Sequence, residues 1–118
     1  MRRAEPAGTI RRVWPLFLEA VRLRRTLSYS EVARRAGPPL TQRTIRRQLL
    51  EPLSERCRRA GLPNLTALVV RKDTGLPGGG WFDPRNPGDG ISRWAEALAD
   101  CYSYRWPNDP DSRLLETP

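Results

Sequence analysis

The segment LSYSEVARRAGPPLTQRTIRRQLL, residues 27–50, constrains the fold more than any other part of the chain. Ser28 and Glu31 stand at the spacing of a capping box, in which two side chains satisfy backbone N–H groups that a helix start leaves open. Val32, Ala33 and Ala36 then recur on one helical face, Arg34 and Arg35 turn outward, and Gly37 supplies a natural stop. Pro38-Pro39-Leu40 forces a turn. Thr41 is placed to cap a further helix whose buried side carries Ile45 and Leu49, while Arg43, Arg46 and Arg47 spread over its exposed side. The outline is that of a helix-turn-helix, although Ile45 lies about two residues later than the tightest version of that motif would put it. Two ordinary core helices with solvated arginines carry much of the same pattern.

Upstream, Ile10, Val13, Trp14, Phe17 and Val21 fall on one face of a helix over residues 9–25. Pro15 implies either that this helix begins at Trp14-Pro15 or that it kinks there. Downstream, Glu51-Pro52 either kinks the third helix or starts a new one, and the apolar set continues through Leu53 and Cys57 to a stop at Gly61. Residues 65–70 read as a strand, Lys72-Asp73-Thr74-Gly75 as a turn, and residues 76–82 as a loop or returning edge strand. Together they predict a short β-hairpin wing. A turn-rich linker leads to a cap near Asp89, after which Ile91, Trp94, Ala95, Leu98 and Tyr102 recur at helical spacing and are expected on the core. After Trp106 there is little to bury. The expectation is an α+β, mostly α, winged helix-turn-helix-like domain over residues 1–106, with a C-terminal helix and a flexible tail at 107–118.

The chain has 118 residues, enough for one domain with a modest core. Its formal net charge of +8 is unevenly placed: residues 1–60 hold 15 arginines against 5 acids, and residues 61–118 hold 6 basic against 8 acidic groups. Such an asymmetry points to a polyanion, since cations near phosphates release condensed counterions and steer association from a distance. The 20 arginines to 1 lysine are also what a GC-rich genome alone produces. No apolar run is long enough to span a membrane, and the N-terminus lacks the apolar region of a secretory signal, so the expected location is the cytoplasm.

Catalytic chemistry is sparsely represented. There is no histidine, which excludes a Ser-His-Asp triad, a Cys-His dyad and a histidine-bearing zinc site within one chain. Cys57 and Cys101 sit in unrelated contexts and read as buried thiols. Glu19, Glu31 and Asp73 are the candidate acids for convergence in space in metal-dependent work, but no clustered pair stands in the sequence. The glycine-rich GLPGGGW lacks the Gly-Lys-Ser/Thr end of a phosphate-binding P-loop. It serves either as a turn that permits close packing or as a main-chain contact to phosphate. Trp81 and Phe82 close a core or stack an unpaired base.

SYSEVARRAG followed by TQRTIRRQL resembles the DNA-binding domain of the O6-alkylguanine-DNA alkyltransferases and the alkyltransferase-like proteins, over roughly residues 13–82. On that pattern Tyr29 falls on the family's tyrosine, Ala33 on its alanine, Arg43 on its base-extruding arginine, Ile45 on its valine and Leu49 on its leucine. The departures matter as much. Where the family reads Pro-Cys-His-Arg this chain reads Leu65-Thr66-Ala67-Leu68, so the acceptor thiolate and its activating histidine are missing. About ten residues are inserted between Leu50 and Leu65, and Arg46 replaces a glycine that lets the family's helix lie close to DNA.

The resemblance and the charge together lead to a non-enzymatic DNA-binding protein, with duplex favoured over single strands and no cofactor or metal. Tyr29, Arg34, Arg35, Arg43, Arg46 and Arg47 form the expected face, and Arg71 and Lys72 the wing. Tyr29 reads equally as a phosphate or base contact and as a half-buried packing residue. The alternative is a small phage or mobile-element protein that uses the same face to bind and inhibit a nucleic-acid-handling protein complex.

Overall fold

Helix α1, Pro6–Leu23, is the scaffold against which the other elements pack in this computed structural model, which describes residues 6–78, 81 and 87–116. It buries Thr9, Ile10, Val13, Trp14, Phe17 and Ala20 along one side. Pro15 neither starts nor ends it. The proline leaves the carbonyl of Arg11 without its usual intrahelical donor, and both residues face solvent, where water can take that carbonyl.

The capping box forms as the spacing predicts. Ser28 Oγ accepts from the Glu31 N–H at 3.1 Å, Glu31 Oε1 accepts from the Ser28 N–H at 3.1 Å, and helix α2 runs over Tyr29–Ala36. Gly37, at φ 76°, ends it and donates its N–H to the Ala33 carbonyl. Two guanidinium contacts clasp α1 to α2: Arg12 Nε donates to the Ala36 carbonyl at 2.8 Å, and Arg35 Nε donates to the Arg12 carbonyl at 3.1 Å.

The next helix starts later than expected. Thr41 does not cap it through its hydroxyl; the Thr41 N–H donates to Thr44 Oγ1 at 2.9 Å, and its carbonyl accepts from the N–H groups of Thr44 and Ile45. From Ile45 the chain is continuously helical, first as a π turn over Arg46–Leu50 and then as α3, Glu51–Ala60. Pro52 explains the widened turn. It has no N–H to return to the Gln48 carbonyl, and the Glu51 N–H reaches back to Arg46 instead. Leu49, Leu50, Leu53 and Cys57 are buried, and Gly61 closes α3 in the left-handed region at φ 69°, ψ 24°.

The stretch expected as a strand over residues 65–70 is a 3-10 helix at Leu65–Leu68 followed by a two-residue strand, β2, Val69–Val70. The local cause is Asn64, whose Oδ1 accepts from the Thr66 N–H at 3.1 Å and from the Thr66 hydroxyl at 2.7 Å, folding the chain into a turn. Strand β2 pairs in parallel with β1, Leu27–Ser28, in the register Leu27 to Val69 and Ser28 to Val70. The hairpin that follows is narrow: one antiparallel bridge joins Val70 to Pro77, and the Arg71 N–H donates to the Leu76 carbonyl at 2.8 Å. Among the described residues the architecture is therefore mostly helical, with a two-stranded parallel sheet.

Helix α4, Pro87–Ser103, holds Asp89 in its first turn rather than at its cap. Leu98 and Tyr102 pack against the core as expected, while Ile91 and Ala95 are exposed and Cys101 is the fully buried member. Trp94 is half-buried and donates Nε1–H to the Ala67 carbonyl at 2.9 Å. The C-terminal residues have more to bury than their composition suggests. Short helix α5, Ser112–Leu115, sinks Leu114 completely, Trp106 meets Trp14 edge-to-face at 5.9 Å, and Trp14 Nε1 donates to the Pro107 carbonyl. Arg56 Nε reaches the Glu116 carbonyl at 3.2 Å, and Arg113 Nη1 the Ala60 carbonyl at 3.0 Å.

Candidate nucleic-acid interface

The parallel pairing of β1 with β2 assembles the basic site. Two strands that leave a parallel ladder in the same direction carry their next residues side by side, at about the 4.8 Å strand spacing. Beyond Ser28 come Tyr29 and Ser30, the first turn of α2; beyond Val70 come Arg71 and Lys72, the start of the hairpin. Residues more than forty positions apart in the sequence thus become neighbours.

A concavity of about 610 Å³ opens there. Tyr29 and Ser30 line it on the α2 side, Arg71, Lys72 and Asp73 on the hairpin side, and Arg43 and Arg46 on the side of the π turn. A second concavity of about 430 Å³ adjoins through the shared Arg43 and Arg46 and adds Arg47, Gln48 and Glu51. Six of the eight residues expected on the face therefore line one connected surface. Arg34 and Arg35 line neither concavity. Arg34 is exposed, and Arg35 turns the other way to hold α1.

Pairing within the site is light. Arg46 lies 3.6 Å from Glu51 and Arg71 3.3 Å from Asp73, both solvent-exposed ion pairs of small energetic consequence. Among the described residues no hydrogen bond or ion pair engages the side chains of Arg43, Arg47 or Lys72. A guanidinium with no carboxylate to release meets an incoming anion at less cost.

Tyr29 is half-buried against the core, with its hydroxyl closing on the hairpin. A Cβ built at Gly78 would lie 2.1 Å from that hydroxyl, so the glycine is what lets the two come together. The packing use of the GLPGGGW turn is thus present at Gly78; Gly79, Gly80 and Phe82 lie outside the described residues. Trp81 is half-buried and lines a third concavity of about 360 Å³ with Tyr29, Arg46 and Asn64. The short strand and the parallel ladder were the missing signals in sequence. Two residues of β structure leave no periodicity to read.

The acids considered for metal chemistry do not converge. Arg25 stands between Glu19 at 3.2 Å and Glu31 at 3.4 Å, whereas Asp73 belongs to the hairpin. The backbone N–H of Ser28, and then Arg25, hold the Glu31 carboxyl below its ordinary range. Both thiols are fully buried. Burial pushes Cys57 up to about 11 and Cys101 up to about 12, so neither is a thiolate at neutral pH. Each also touches the same peptide unit: Cys57 interacts with the Leu65 N–H, and the Cys101 thiol donates to the Asn64 carbonyl at 3.2 Å. In a trans peptide those two groups point apart, which sets the sulfurs on opposite sides.

Comparison with known protein families, curated proteins and solved structures finds no match to this chain. Among the described residues no helix is long and apolar enough to cross a membrane.

Proposed function

We propose that this protein binds DNA without carrying out chemistry on it, using the arginines of the π turn and the preceding turn as its principal face. One observation carries the reading. Arg43, Arg46 and Arg47 from one part of the chain, and Arg71 and Lys72 from another, line a single connected concave surface in which Asp73 and Glu51 are the only acids among the described residues. Concave clusters of one charge sign focus potential and bind polyanions with strong salt dependence.

On this reading the fold acts as a reduced winged helix-turn-helix. The hairpin after β2 serves as the wing, Arg34 adds a backbone contact from α2, and Arg35 is withdrawn from the face by its bond to Arg12. Buried thiols held protonated at neutral pH support a reading without alkyl transfer, alongside the absent Pro-Cys-His-Arg sequence. A gel-shift titration with duplex, single-stranded and alkylated-base DNA, each over a range of salt, tests the proposal. Duplex binding that weakens steeply with salt supports it. Failure to shift any of the three, together with recovery of a protein partner after nuclease treatment, would transfer the face to the protein-binding alternative.

A further inference from the structure

We infer that the larger concavity is a site for a phosphate monoester dianion, and that its occupant on DNA is a phosphorylated strand end rather than an internal phosphodiester. The inference rests on the nucleic-acid reading for the source of the phosphate. Among the described residues, four cationic side chains, Arg43, Arg46, Arg71 and Lys72, line this space against the single carboxylate of Asp73. They approach from two separate parts of the chain, the segment before and within the π turn and the start of the hairpin. Ser30 and Tyr29 line it as well, and Tyr29 is the only aromatic residue among the described ones that do, so the space is furnished for a hydrophilic anion and not for a ring.

Charge and geometry separate the two kinds of phosphate. An internal diester carries one negative charge and two non-bridging oxygens, with a sugar on each side. A monoester carries about −1.5 to −2 and three terminal oxygens. Coulombic attraction to the enclosing cations grows in proportion to that charge, and three oxygens can accept simultaneously from guanidinium groups on opposite walls. Among the described residues Arg43 and Lys72 have no side-chain hydrogen bond or ion pair to break on binding. The adjoining concavity, reached through Arg43 and Arg46 and bordered by Arg47, then lies where a following diester of the same strand would run.

The test uses the full chain and blunt duplexes of one sequence bearing either 5′-phosphate or 5′-hydroxyl ends, with inorganic phosphate as a separate ligand at ionic strength matched by chloride. The phosphorylated duplex is expected to bind about tenfold tighter. Lys72→Gln should erase most of that difference, and Arg47→Gln should weaken both duplexes alike; circular dichroism confirms that both variants fold. Equal affinity of the wild type for the two duplexes overturns this inference and leaves the DNA-binding reading standing. No binding to either duplex, with inorganic phosphate still raising the thermal midpoint of the wild type but not of Lys72→Gln, supports the phosphate site and overturns the nucleic-acid reading. Absence of both effects overturns both.

Discussion

Replacing Leu114 by alanine distinguishes a C-terminal segment that is part of the core from one loosely appended to it. Leu114 is fully buried, on a short helix that packs against both α1 and α3. Truncating a leucine in such a setting removes its transfer free energy and leaves a space that the surroundings fill incompletely, a combined cost of about 2–5 kcal/mol. Neighbouring contacts fix the segment on either side: Trp14 Nε1 to the Pro107 carbonyl, Arg56 to Glu116 and Arg113 to Ala60. Those anchors limit collapse around the vacated volume, which favours about 3 kcal/mol. For a domain of this size such a loss lowers the thermal midpoint by roughly 10 °C. Urea denaturation followed by tryptophan fluorescence measures it, with Leu23→Ala as the control. Leu23 is 64% exposed, and its truncation should change stability by less than about 0.5 kcal/mol. A Leu114→Ala variant no less stable than the control would refute the packing of the tail.

Three further outcomes follow from local chemistry. Glu31→Gln keeps an acceptor for the capping box but removes the charge that faces the Ser28 N–H, the start of α2 and Arg25, and should cost about 0.5–1 kcal/mol at neutral pH. Because the folded-state pKa of Glu31 is lowered, its contribution is full above the unfolded value near 4.3 and disappears as pH falls through the folded value, so wild type and variant should converge in acid. A stability gap that stays constant from pH 7 to about pH 3 would contradict that assignment. With their pKa values at about 11 and about 12, Cys57 and Cys101 should react with a thiol reagent at pH 8 at least about a hundredfold more slowly in the native protein than in urea; comparable rates would place them at the surface. Gly78→Ala should displace the Tyr29 hydroxyl, seen as a change in Tyr29 ring resonances, and reduce DNA affinity more than it reduces stability; unaltered resonances would show that the close approach is not made.

The elements legible in the sequence were those whose causes are local. The capping box of Ser28 and Glu31, the stops at Gly37 and Gly61, the turn at 72–75 and the inward sets of α1 and α2 each depend on residues within a turn or two of one another. Pro15 left the start of α1 undecided because its cost depends on whether water can reach the freed carbonyl, a fact about burial and not about spacing. Residues 65–70 look like strand because they are apolar and partly β-branched. Asn64 overrides that preference with two hydrogen bonds, and burial on every side removes the alternation that would otherwise be visible. Leu114 was missed because a single leucine pair has no periodicity, and its pocket is built by helices far away in the chain.

The same division runs through the site. The arginines of residues 43–47 announce themselves by spacing, and Arg71 and Lys72 by their place before a turn. That the two groups share one concavity follows from the register of a two-residue parallel ladder, a long-range pairing that composition and periodicity do not encode. Arg35 shows the converse. Its spacing puts it on an exposed face, and only the packing angle of α1 against α2 turns it toward the Arg12 carbonyl.

The central claim, that Arg43 and Arg47 meet DNA phosphates, is tested most directly by the salt dependence of duplex binding in an Arg43→Ala, Arg47→Ala double variant. Each phosphate contact contributes about 0.9 to the slope of log affinity against log salt, so losing two should flatten that slope by about 1.8 while weakening binding at low salt. A double variant with the wild-type slope and affinity would contradict the account.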